Sequence, residues 1–100
     1  MPIYLVDRDL PSITHDQLAA AHRAATETAH RFTAEGKPVQ YLRSLFLPDE
    51  GRCLCLFEAP DADCVRRLNE VAQIPFTSVS EALELSPPDQ TNNYGSANNE

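Results

Sequence analysis

One hundred residues with 42% hydrophobic and 7% aromatic side chains suit a single small domain with a real core, and argue against a wholly disordered chain. Fifteen Asp/Glu against eight Lys/Arg give a net charge of −7, which repels phosphate backbones and attracts small cations; Arg66-Arg67 is the only adjacent basic pair, so no nucleic-acid partner is expected. The sequence has no 18-residue apolar run, signal h-region or lipid-anchor pattern, so the expected setting is cytoplasmic, with no membrane partner.

Ile3 to Arg8 is aromatic and branched, and Asp9-Leu10-Pro11 ends it, which predicts β1. Thr14 followed by Gln17 has capping-box spacing, so a helix should begin near Thr14. Leu18, Ala21, Ala25, Ala29 and Phe32 then fall on one side of the helical wheel, with Arg23, Glu27 and Arg31 on the solvated side. Gly36 and Lys37-Pro38 carry the chain out of that helix.

Val39 to Leu47 reads as β2, Pro48 to Gly51 as a turn and Cys53 to Glu58 as β3, together an antiparallel hairpin. Alternation puts Cys53, Cys55 and Phe57 on one face of β3 and Leu54 and Leu56 on the other. Both faces are therefore apolar, and a second sheet from another subunit would cover the face left by the helices. A shorter helix is predicted from near Asp61, ended by Gln73-Ile74-Pro75, with Val65, Leu68 and Ala72 inward. Phe76 to Leu85 is a weaker strand region with room for an extra short strand. The order β-α-β-β-α-β predicts an α+β domain of the ferredoxin-like split βαβ type over residues 1–85, and the polar segment 86–100 reads as a mobile tail.

Three groups of residues carry chemistry. His15, His22 and His30 share a broad helical sector. Successive pairs, however, stand about 10.5 Å and about 12 Å apart along the axis, so a straight helix cannot close all three on one ion. His22 borders the apolar stripe and is the best pocket candidate. His15, in the first turn, is a further candidate ligand, and Glu58 is a candidate base or metal ligand. Tyr41 and Arg43, two residues apart on β2, should share a face, where a phenol and a guanidinium could flank an anionic or carbonyl ligand. Cys53, Cys55 and Cys64 form an odd set without CxxC spacing. A strand separates Cys53 from Cys55 by about 6.5 Å, awkward for a direct disulfide, so reduced cysteines are expected. They are also candidate soft ligands in a mixed sulfur and nitrogen site for nickel or copper.

The runs Met1 to Pro11, Glu35 to Ser44, Glu50 to Pro60 and Ile74 to Phe76 together resemble a small ferredoxin-like family, first catalogued as being of unknown function and later associated with nickel binding. The resemblance spans residues 1–85. It implies a homodimer, in a dimeric αβ barrel-like assembly, and nickel coordination at the surface. Ser12 stands where the family pattern leads one to expect glycine after Leu10-Pro11, which questions the conformation of that turn.

The sequence reading is thus a nickel-binding protein engaged in metal buffering or response, with His15, His22 and Glu58 as metal ligands, nickel as cofactor, and a divalent metal or a small molecule as partner. The alternative is a small-molecule isomerase, cyclase or monooxygenase-like enzyme of the dimeric αβ barrel class. In that reading His22 transfers a proton, Tyr41 donates a hydrogen bond and Arg43 orients a developing anion.

Overall fold

The structure, a computed structural model, describes residues 1–87. Its elements run β1 (Ile3–Asp9), α1 (His15–Ala34), β2 (Gln40–Leu47), β3 (Arg52–Glu58), α2 (Ala62–Ala72) and β4 (Ser78–Ala82). The strands form one antiparallel sheet in the order β2-β3-β1-β4, which is the ferredoxin-like arrangement. Among the described residues no helix is long and apolar enough to cross a membrane. The predicted polar tail lies, from residue 88 onward, outside the described residues.

Local chemistry sets the helix boundaries. Thr14 Oγ1 accepts the Gln17 N–H at 3.1 Å while the Gln17 side chain accepts the Thr14 N–H at 3.0 Å, a complete capping box at the start of α1. Asp61 caps α2 by accepting the Cys64 N–H at 2.8 Å. Gln73 ends α2 in the left-handed region, and its N–H bonds back into the last turn. The fourth strand is shorter than the region predicted, running over Ser78–Ala82, and just before it Thr77 gives its N–H and hydroxyl to the Asp7 carbonyl at 2.7 and 3.0 Å. Among the described residues there is no additional short strand in that region.

Both helices pack on the sheet face bearing Tyr4, Val6, Cys53, Cys55 and Phe57. Ala25, Ala29 and Phe32 from α1 and Val65 and Leu68 from α2 complete the core. The opposite face carries half-buried Leu5, Leu54 and Leu56 and a 68% exposed Leu45, so the sheet is apolar on both sides.

The register of β2 departs from simple alternation. Tyr41 pairs with Phe57, but Arg43 pairs with Leu56, with a bulge between them. The extra residue turns Arg43 onto the open face, where it forms an ion pair with Glu84, while Tyr41 stays on the helix face. The expectation that Tyr41 and Arg43 share a side is therefore corrected. Beyond the bulge, Ser44 opposite Cys55 and Phe46 opposite Cys53 face the helices.

The turn after β1 resolves the question raised by Ser12. Its φ is +63°, in the left-handed region where a side chain is strained and glycine is not. Ser12→Gly is expected to raise stability by about 0.5–1 kcal/mol, the relief of strain less the added entropy of the unfolded chain, which is a rise of about 2–8 °C in a thermal melt. Across the turn, the Leu10 N–H reaches the Gly51 carbonyl at 2.6 Å, and a Cβ on Gly51 would stand 3.1 Å from the Pro11 backbone, so the hairpin turn and the end of β1 are held close.

Candidate metal centre

Alternation along three strands and one inward residue of α1 build a compact cluster. On β3 it aims Cys53 and Cys55 at the helices, and on β1 the same period places Arg8 in line with Tyr4 and Val6, directly opposite Cys53. From α1, His22 sits next to Ala21 and near Ala25 over this spot, its ring stacked on Tyr41 at 5.6 Å between centroids. The ligand atoms of His22, Cys53 and Cys55 all lie within 4.8 Å of one another. All three cysteines are free.

Donors converge on one sulfur. Cys55 Sγ accepts from Arg8 Nε at 3.3 Å and from the Ser44 hydroxyl at 2.9 Å. With the Ser44 proton given to sulfur, the Tyr41 hydroxyl, 2.5 Å away, is left to donate to Ser44, so a two-hydroxyl relay ends on Cys55. Cys53 Sγ stands 3.7 Å from Cys55 Sγ and supplies the remaining donor as a thiol. That thiol bond, then the Arg8 charge and the Ser44 and Arg8 hydrogen bonds, hold Cys55 well below the ordinary thiol range, to about 5, against burial, which pushes it up. The same bond together with burial pushes Cys53 above its ordinary range. Burial likewise raises the Tyr41 phenol and keeps it a donor. The pair is thus one thiolate and one thiol.

This division has a pH consequence. The folded value of Cys55 lies below the unfolded one of 9.0, so its contribution to stability is complete above that value and shrinks as pH falls toward about 5. The urea stability of the metal-free protein relative to Cys55→Ser should therefore narrow on acidification from about pH 9 to about pH 5, where a constant difference would contradict the thiolate assignment.

The donor set suits a transition metal. Two sulfurs bound at about 2.3 Å in a tetrahedron stand about 3.8 Å apart, close to the 3.7 Å seen here. His22 Nε2 is buried without a hydrogen-bond partner, an arrangement that costs about 1–3 kcal/mol and that a bound ligand would relieve. The 6.5 Å strand pitch, which counts against a disulfide, leaves the sulfurs free to meet around an ion.

The other sequence candidates lie elsewhere. His15 and His30 are exposed on α1. Glu58, next along β3 from inward Phe57, lies on the open face opposite Ile3 and Gln40. The structure thus brings His22 to the two cysteines and does not bring it together with His15 and Glu58. Of the catalytic alternative, His22 and Tyr41 meet, whereas the bulge removes Arg43. Cys64 sits at a different place, beside Phe32, Lys37 and Asp61. The sequence reading missed Arg8 and Ser44; for Arg8 the period-two pattern Tyr4, Val6, Arg8 was the available signal.

Comparison with known proteins adds an independent line. No curated protein matches the sequence. The crystal structure of SCO4226 from Streptomyces coelicolor A3(2) is similar to this fold with a TM-score of 0.68 and 26% identity, over 84% of this chain and 99% of that one. A family model described as "Nickel responsive protein SCO4226-like" matches residues 4–82. With four-fifths of its length matched, from β1 through β4 and including both cysteines of the cluster, the chain belongs to the SCO4226-like family of nickel-responsive proteins.

Proposed function

We propose that this protein binds nickel and acts in the response to it, by buffering the ion, with the His22 imidazole and the Cys53 and Cys55 sulfurs as ligands. The carrying observation is the convergence of three ligand atoms within 4.8 Å, one of them on an imidazole with an orphaned buried nitrogen. The family's name supplies the ion. The test is a calorimetric titration of reduced, metal-free protein with Ni²⁺, read in parallel by thiolate-to-metal charge-transfer absorbance. One ion per chain with that absorbance is expected. Nickel binding without it would move the site to groups outside the cluster such as His15 and Glu58, and no binding above buffer would remove the proposal.

The same reading includes a homodimer in the cytoplasm, where reducing conditions keep cysteines free. The apolar open face of the sheet, with half-buried Leu5, Leu54 and Leu56 and a 68% exposed Leu45, supports a second copy as its cover, and Leu83 and Leu85 just after β4 are exposed as well. Such an interface should bury at least about 1,200 Å² in total. Light scattering over a concentration series should give the mass of two chains; a monomer persisting at micromolar concentration would refute the assembly.

A further inference from the structure

Among the described residues Arg8 is the only lysine or arginine lining the space around the cluster, whose walls include Leu18, Ala21, Ala25 and Ile74. It is 3% exposed. Its guanidinium is fixed at three points: Nε on Cys55 Sγ at 3.3 Å, Nη1 on the Pro75 carbonyl at 3.2 Å and Nη2 on Asn69 Oδ1 at 2.6 Å. Asn69 is itself held by donating Nδ2 to the Val65 carbonyl at 2.8 Å. The positive charge therefore cannot swing away when an ion arrives, and an ion bonded to Cys55 lies one sulfur away from it. The space among these side chains is also too tight for a water molecule.

We propose that Arg8 sets the charge of the ion, making the His22–Cys53–Cys55 cluster a site for a monovalent thiophilic cation, copper(I), in preference to nickel(II). This rests on the reading that these three side chains hold a metal and concerns which ion they hold best. When both cysteines ligate as thiolates, Arg8 cancels one of their two charges. A monovalent ion cancels the other and leaves the dry site neutral, whereas a divalent ion leaves a net positive charge in low dielectric and meets twice the repulsion from the guanidinium. Coordination acts in the same direction. Copper(I) is satisfied by two or three soft ligands, while nickel(II) takes four to six and usually completes its shell with water that has no room here.

The test is an anaerobic competition titration against chromophoric chelators, with copper(I), nickel(II) and, as a divalent control of filled d shell, zinc(II). The proteins are wild type, Cys53→Ser, Cys55→Ser, Arg8→Lys and Arg8→Gln. Wild type should hold one copper(I) at least about 100-fold more tightly than nickel(II), and both serine variants should lose that preference. Arg8→Gln should narrow the ratio of copper(I) to zinc(II) affinity by at least about tenfold, with Arg8→Lys retaining most of it. Nickel(II) bound by wild type as tightly as copper(I) would overturn the inference and leave nickel binding at the cluster standing, and that comparison does not depend on any Arg8 variant folding. An unchanged ratio in folded Arg8→Gln would overturn the role of Arg8. Absence of any cysteine-dependent metal binding would overturn the metal site together with the inference.

Discussion

Replacing Arg8 by methionine is expected to destabilise the metal-free protein by about 3–5 kcal/mol, the scale for removing one partner of a buried charged network. Methionine matches much of the stem's volume, so the loss is not mainly a cavity. It comes from the buried Asn69 Oδ1 left without the guanidinium, from the part-buried Pro75 carbonyl losing its donor, and from Cys55 Sγ keeping only the Ser44 and Cys53 donors. Cys55 would also lose the neighbouring charge and the hydrogen bond that favour its thiolate. Against a total stability of about 5–15 kcal/mol for a domain of this kind, the variant should sit at the edge of folding. Urea denaturation of reduced protein measures the effect. A cost under about 1 kcal/mol would mean that water replaces the guanidinium and that the site is not dry.

The second large effect concerns metal affinity. Cys55→Ser is expected to weaken nickel binding at least about a hundredfold, since it replaces a sulfur already held as thiolate with a hydroxyl that stays protonated at neutral pH. Cys53→Ser should cost a similar factor, because a thiol that must release its proton to bind is still a far better ligand than an alcohol. Of the two thiols, nickel binding should then release about one proton, from Cys53, the Cys55 proton being already gone. Cys64→Ser is the control. That residue lies with Phe32 and Lys37 at another place in the fold and should leave affinity unchanged. Competition against a chelator of known affinity reads all three variants, and equal loss in each would show that the sulfurs act without a defined site.

Much of the fold was legible because separate local signals agreed. Thr14 and Gln17 announce the first helix, the alanine stripe gives its buried side, and Gly36 ends it. Alternation in Cys53-Leu54-Cys55-Leu56-Phe57 correctly separates the two faces of β3. Ser12 was legible as a departure, and its positive φ gives the reason. The bulge before Arg43 was not legible. An extra residue in a strand is set by pairing with β3, and nothing in the run Gln40-Tyr41-Leu42-Arg43-Ser44 marks it. One inserted position then turned Arg43 outward and brought Ser44 onto the sulfur.

The candidate site was legible only in parts for a related reason. His22 and the cysteine pair stand out individually, but the distance between them is a tertiary fact, fixed by how α1 crosses the sheet. Arg8 gives no such signal, since a charged residue at the end of a strand is usually solvated. Its burial depends on Asn69 of α2 and on the Pro75 carbonyl, more than sixty residues away, which supply the acceptors that make an interior guanidinium tolerable.

The most direct test of the claim that His22, Cys53 and Cys55 form a metal centre is X-ray absorption at the nickel edge on the protein loaded with one equivalent of Ni²⁺. The expected coordination shell has two sulfur scatterers and one imidazole nitrogen, and it loses a sulfur in Cys53→Ser and in Cys55→Ser. A shell of nitrogen and oxygen alone, unchanged in both variants, would contradict it.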